Sequence, residues 1–103
     1  MFLNKIFKLF KKVYKVYEYS FEKKRKHVIH FSNDKKEATS YLERLLDSKL
    51  EDYCHDAKDE NSFVTDYLNN RMHSYKIENT NFNEIDYIKN NALRIYKEYQ
   101  SKQ

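Results

Sequence analysis

The chain has 103 residues, a formal net charge of +4, ten tyrosines, seven phenylalanines and one cysteine, and it has neither glycine nor proline. Without glycine it cannot form a phosphate-binding loop, a dinucleotide fingerprint or a nucleophile elbow, because each needs a backbone geometry that only glycine tolerates. One cysteine likewise excludes an intrachain disulfide and a cysteine-based zinc knuckle. The length allows one modest hydrophobic core, so we expect a single compact domain over residues 1–103.

Positive charge is concentrated at the N-terminal end of the chain. Residues 1–36 contain eleven basic and three acidic residues, whereas residues 37–103 contain nine basic and thirteen acidic ones. A basic N-terminal third on a slightly acidic helical body is typical of a protein that faces a polyanion or a membrane surface. Solvation of a small protein by its many lysines explains the same excess, so both interpretations stay open.

The first predicted element is a short basic helix over residues 2–12. Its apolar residues fall on one half of a helical wheel and its polar face is cationic. Lys5 and Lys8 interrupt the apolar run, so the segment does not match a signal peptide, and no apolar run is long enough for a transmembrane helix. We therefore expect a cytoplasmic protein. The pattern over residues 2–15 is also typical of a helix that lies on a membrane surface, although packing on the protein's own core explains it more simply.

A β-hairpin is predicted next, with strands over residues 14–22 and 27–32. Tyrosine and phenylalanine alternate with polar residues here, which is the period-two pattern of a strand. The basic residues 23–26 would form its tip. Because this tip has neither Asn-Gly nor Asp-Gly, we expect a longer loop in the right-handed helical region. If the hairpin is wrong, the first helix continues past Tyr17 and the protein is an all-α four-helix domain.

The rest of the chain is predicted to be helical, which makes the fold class α+β. Apolar residues recur there at three- and four-residue spacing, in segments that cover residues 35–55, 62–76 and 83–100. Capping boxes precede the first and last of these helices, formed by Asp34 with Glu37 and by Asn81 with Glu84. The apolar stripe of the first of these helices is expected to lie in the core, in particular Tyr41, Leu42, Leu45 and Leu46.

No constellation of catalytic or metal-binding residues stands out. His27 and His30 would point to opposite faces of a regular strand and could not chelate a metal together. Cys54 lies on an apolar stripe, where cysteine behaves as a small hydrophobic residue, and neighbouring His55 is badly placed to pair with it. His73 is the remaining histidine available for such a site. Acidic residues near the first helix connection are typical of a solvated loop: Asp52, Asp56, Asp59 and Glu60. We therefore expect no enzymatic activity, no metal and no cofactor.

Nucleic-acid binding is the best supported chemistry. A basic two-stranded ribbon fits a DNA major groove, and its Lys and Arg side chains would neutralise phosphates. Tyr17, Tyr19 and Phe21 could stack on bases, as in sheet-based RNA-binding proteins. The simpler interpretation, which the sequence favours, is that these three rings face the helices as core. The candidate residues for binding a partner or nucleic acid are Lys8, Lys11, Lys12, Lys15, Lys23, Lys24, Arg25 and Lys26.

Composition also suggests an origin. Lys, Asn, Tyr, Phe and Ile make up 49 of the 103 residues, and AT-rich codons encode all five. We predict a small non-enzymatic binding protein, encoded by a phage or mobile element, that regulates or inhibits a host nucleoprotein such as a CRISPR effector or a replication factor. The alternative is a DNA- or RNA-binding module that uses the basic hairpin. The third hypothesis is a membrane-surface protein that binds through residues 2–15.

Overall fold

Three strands and three helices make up the described part of the chain, residues 12–103 of a computed structural model. The α+β class is confirmed, and the all-α alternative is wrong because two strands pair where it requires helix. The predicted helix over residues 2–12 falls outside the described residues. None of the helices described is both long enough and apolar enough to cross a membrane. In chain order the elements are β1 (Tyr14–Ser20), β2 (Arg25–Ser32), α1 (Lys35–Glu51), α2 (Glu60–Asn70), β3 (His73–Ile77) and α3 (Glu84–Ser101).

β1 and β2 form the predicted antiparallel hairpin, but its four-residue turn lies two residues earlier than expected, over residues 21–24. Strand β2 begins at Arg25, two residues before the predicted start. The reason is Lys24, whose backbone is left-handed at φ 53° and whose N–H donates to the Ser20 carbonyl at 2.9 Å. This closes the chain in four turn residues, so Arg25 and Lys26 pair with β1 instead of lying in the tip.

The third strand was not predicted, and the helix predicted over residues 62–76 is wrong beyond Asn70. α2 ends there because Arg71 turns to extended backbone (φ −63°, ψ 144°), and β3 then pairs antiparallel with β1. The strand order is β2-β1-β3, so β1 is the central strand. Tyr75 and Ile77 alternate with exposed Lys76, which is a strand pattern.

Two joined clusters of buried side chains lie on one side of the sheet, where the helices pack. Between the sheet and α1, the predicted stripe is confirmed: Leu42 and Leu46 are fully buried, and Tyr41 and Leu45 are partly buried. Leu50 at the end of α1 belongs to the second cluster, which α2 and α3 complete. α1 therefore ties the sheet to the helical end of the molecule.

The helix ends explain two smaller differences from prediction. α1 ends at Glu51 rather than residue 55, since the N–H groups of Tyr53 and Cys54 bond three residues back and tighten the chain into turns. The cap of α3 is Asn83, whose side chain accepts from the Asp86 N–H at 2.9 Å. Asn81 therefore forms no capping box, and Glu84 is left available for a buried ion pair.

Replacing Leu46 with alanine should lower the free energy of unfolding by about 2–5 kcal/mol, the usual cost of truncating a buried leucine. Leu93 on α3 is 49% exposed and provides the control. Leu93→Ala should change stability by no more than about 0.5 kcal/mol, as is usual for a surface substitution. Urea unfolding of both variants measures the difference, and equal effects would contradict the packing described here.

Strand β2 is held to α1 by a pair whose effect depends on pH. His30 Nε2 lies 2.6 Å from Glu37 Oε1, and the His30 ring stacks on Tyr41. The hydrogen bond with His30 lowers the pKa of Glu37 below its ordinary 4.5. Ionised Glu37 therefore stabilises the fold above its unfolded pKa, and this stabilisation is lost as the pH falls through the lower folded value.

Glu37→Gln should consequently make the melting temperature less sensitive to acid. On lowering the pH from neutral to below 4.5, the variant should lose less of its melting temperature than the wild-type protein does. Glu43→Gln on the same helix is the control, because Glu43 forms no ion pair with any described residue. Parallel curves for the wild type and Glu37→Gln would refute the linkage.

Candidate nucleic-acid interface on the sheet

The two faces of the sheet have different environments. Along β1, Val16 points towards α1 and is fully buried, whereas its neighbours Lys15 and Tyr17 point the other way. Neither buried cluster of the described chain includes a ring from that second side, which we call the outer face. The register assigns to the outer face Lys15, Tyr17, Tyr19, Lys26, Val28, Phe31, Ser74 and Lys76, and Phe21 extends it into the turn.

The three aromatic residues of the hairpin are therefore not core, and the interpretation favoured by the sequence is wrong. Tyr17 and Tyr19 are only partly buried, and Phe21 is 43% exposed. The inner positions between them are polar because they have partners on that side. Glu18 accepts a hydrogen bond from the Tyr75 hydroxyl at 2.9 Å, and the Ser20 hydroxyl accepts the Lys23 N–H.

A β-bulge enlarges the apolar part of the outer face. The register shifts between Val16 and Tyr17, so that Val16 faces His30 and Tyr17 faces Val28. Val28 and Phe31 consequently lie on the same face although they are three residues apart. Phe31 is 69% exposed and Val28 is 42% exposed. Sequence analysis missed both residues because a regular strand would separate them.

Because of the same bulge, the prediction that two histidines point to opposite faces is wrong. His27 and His30 both lie on the inner face, since they pair with Glu18 and Val16. They contact different carboxylates, with His27 Nε2 3.5 Å from Glu18 and His30 bonded to Glu37. Within residues 12–103, no group of three His, Cys, Asp or Glu side chains is arranged to hold a metal ion.

Lysines surround the rings of the outer face. Lys26 Nζ lies 4.5 Å from the centre of the Tyr17 ring, and Lys76 of β3 is paired with Tyr17 from the opposite side. Lys15 is paired with Phe31. A carboxylate contacts one of the rings: the Tyr17 hydroxyl donates to Glu78 at 3.0 Å, a bond that raises the pKa of Tyr17. The outer face thus combines exposed rings with an excess of positive charge.

The basic residues selected from the sequence are divided among several places. Lys15 and Lys26 lie on the outer face beside the rings, whereas Arg25 pairs with Ser20 and points to the helix side. Lys12 is exposed before β1, and Lys23 and Lys24 are exposed in the turn. Lys8 and Lys11 fall outside the described residues. A role in binding stays a prediction for all eight. Lys76 was missed because its segment was taken as helix.

Cys54 is buried in the helical cluster, as expected. Its thiol donates to the Leu50 carbonyl at 3.6 Å, and burial, with Glu51 nearby, raises its pKa to about 11. The thiol is therefore protonated at neutral pH. His55 is turned away, and its Nδ1 lies 3.1 Å from the Tyr99 hydroxyl.

Comparison with protein-family models, with curated proteins and with solved structures found no match to this chain. Function therefore has to be inferred from the residues themselves. Among the surfaces described, the outer face joins flat apolar groups to positive charge. Flat aromatic rings with cations beside them are the groups that bind bases and phosphates.

Proposed function

We propose that this chain is a non-enzymatic protein that binds single-stranded nucleic acid on the outer face of its sheet. The observation that carries the proposal is the row of aromatic rings outside the core on one sheet face, half-buried in β1 and exposed at Phe21 and Phe31, with lysines on the neighbouring strands. A cytoplasmic location belongs to the same proposal. The hypothesis that the protein regulates or inhibits a host nucleoprotein stays a prediction.

Exposed rings supply the energy of binding. Every base has a flat π face, and stacking on an aromatic side chain contributes about 1–3 kcal/mol per base. Tyr17 and Tyr19 occupy alternate positions of β1 and Phe21 follows in the turn, so their rings form a row beside the more exposed Phe31. Single strands can splay their bases onto such a surface, whereas a duplex keeps its base faces stacked inside.

Lysines supply the attraction for phosphates. Lys15, Lys26 and Lys76 flank the rings, and each phosphate that a lysine neutralises releases counterions. Glu78 offsets part of this charge, but its carboxylate is held by the Tyr17 hydroxyl at one edge of the face. Rings without cations would suit a protein partner equally well, and the lysines are what favours a polyanion.

The first test is binding of a fluorescent oligothymidylate of about 15 nucleotides, measured by anisotropy. Phe31→Ala and Tyr19→Ala should each weaken binding by about 5- to 150-fold, which is the loss of one stacked base. Leu93→Ala is the matched control, since it also truncates an exposed apolar side chain, on α3. Melting temperatures should fall far less in all three variants than in Leu46→Ala.

Three outcomes would contradict the proposal. Wild-type affinity weaker than about 10⁻⁴ M at physiological salt would be the feeble end of non-specific binding. A duplex of the same length that binds more tightly than the single strand would assign the lysines to duplex DNA. A fall in melting temperature for Phe31→Ala as large as that for Leu46→Ala would show that the ring packs within the protein.

Salt dependence tests the lysines separately from the rings. Lys26→Gln and Lys76→Gln should each reduce the slope of log K against log salt by about 0.7, the value for one phosphate contact to a single strand. Lys97→Gln is the control. Lys97 is also exposed, but it belongs to α3, which packs on the covered side of the sheet. Unchanged slopes in both sheet variants would mean that these lysines do not touch phosphates.

A further inference from the structure

A cavity on the helix side of the sheet is separate from the outer face. It measures about 280 Å³ and lies where the ends of α1 and α2 meet the start of β3. Small-molecule sites in proteins span about 300–1,000 Å³, so this cavity lies just below the small end of that range and would take only a small ligand. The lining residues on which the argument rests are Lys49, Tyr53, Tyr67, Arg71, His73 and Tyr75.

Two cationic side chains line this cavity. Arg71 is 17% exposed and donates through Nη1 to the buried carboxylate of Glu84. A guanidinium has five N–H donors, so one bond to Glu84 leaves others for a ligand. The ammonium of Lys49 lies 5.7 Å from the centre of the Tyr75 ring and forms no ion pair with a described residue. Asp52 is the acidic residue of the lining, and it is exposed.

A third group in the lining is a buried hydroxyl whose proton has no acceptor. Tyr67 is only 2% exposed, and its hydroxyl donates to no described residue, although the Arg71 guanidinium lies beside its oxygen. Glu84 Oε2 is likewise buried without a hydrogen-bond partner among the described residues. Leaving such a hydroxyl unpaired destabilises the fold, and a bound acceptor would recover this loss. Burial, with the charge of Glu84, raises the pKa of Tyr67 to about 12, so the hydroxyl stays protonated and can donate.

We propose that this cavity binds a phosphate monoester, with Lys49, Arg71 and the Tyr67 hydroxyl contacting the phosphate oxygens. Two cations and a neutral donor match a dianion with several acceptor oxygens better than they match a single carboxylate. A water molecule takes about 30 Å³ in the liquid, so the cavity has room for an organic group beyond the phosphate. The rings of Tyr53 and Tyr75 give that group an apolar wall.

Two sources of the phosphate monoester fit this chemistry: a free nucleotide and the phosphorylated end of a nucleic-acid strand. The second source follows from the position of Phe21, which closes the row of rings on the outer face. The Arg71 guanidinium carbon lies 5.6 Å from the centre of the Phe21 ring, and the Phe21 N–H donates to the Met72 carbonyl at 3.1 Å. The cavity therefore adjoins one end of the outer face.

Binding of inorganic phosphate, of adenosine 5′-monophosphate and of uncharged adenosine to the full chain is measured by calorimetry. Ligand is raised to about 10 mM, tenfold above the Kd of a weak millimolar site. We expect the nucleotide to bind most tightly and adenosine not to bind. If neither inorganic phosphate nor the nucleotide gives a heat of binding, the proposal is wrong for a free ligand. The strand end is then tested with the oligonucleotides described below.

Tyr67→Phe is the sharpest variant, because it removes only the hydroxyl whose proton has no acceptor. It should weaken phosphate binding at least tenfold, the value of one hydrogen bond to a charged group. Without ligand it should raise the melting temperature, since a buried donor without an acceptor is lost. Tyr96→Phe is the control, as its hydroxyl already donates to the Lys58 carbonyl. Unchanged affinity in Tyr67→Phe would overturn the assignment.

Oligonucleotides with and without a 5′-phosphate distinguish the two sources. If the phosphorylated strand binds more tightly and Tyr67→Phe abolishes this difference, the cavity binds strand ends. If both strands bind equally while adenosine 5′-monophosphate binds in the calorimeter, the cavity binds free nucleotides. If no phosphate-bearing ligand depends on Tyr67, the proposal is wrong. Phe31→Ala separates this proposal from the function proposed above, because it should weaken both oligonucleotides and leave mononucleotide binding unchanged.

Discussion

The position of β1 between β2 and β3 is the constraint on which the rest of the structure depends. Its backbone bonds on both sides, so its side chains must alternate between a covered face and the outer face. Val16, fully buried against α1, fixes which positions point inwards. A slip of one residue would exchange the two sets and bring Lys15 into the core. The position of Tyr17 and Tyr19 outside the core therefore follows from the burial of one valine.

Hydrogen bonds between polar groups on the covered face reduce the energetic cost of this arrangement. Glu18 lies on the inner side of the sheet, yet its carboxylate accepts the Tyr75 hydroxyl and lies near His27. Burial and the bond to Glu18 raise the pKa of Tyr75, so this hydroxyl remains a donor at neutral pH. Buried polar groups are tolerated where they are paired. The covered positions of β1 can therefore be polar, and its aromatic residues occupy the alternate positions on the outer face.

Much of this fold could be predicted from the sequence, but the assignment of faces could not. The hairpin, α1 and α3 have strong periodicity, and each was predicted close to its observed range. β3 was missed because Tyr75 satisfies both a helical spacing from Met72 and the alternation with Ile77, and only pairing with β1 decides between them. The rings of β1 were assigned to the core because apolar area usually decides burial. Local rules of this kind fail most often where a surface serves a function.

Arg71 explains why the two proposed sites are neighbours. Its extended backbone ends α2 and directs the chain into β3, so the same residue that completes the sheet carries a cation to the cavity. Its guanidinium lies between the exposed ring of Phe21 and the buried carboxylate of Glu84. Burial favours the neutral form of Glu84 and raises its pKa, while the charge of Arg71 opposes this shift. An anion in the cavity would share this guanidinium with Glu84, the first residue of α3, so the proposed site lies directly beside the point where α3 begins.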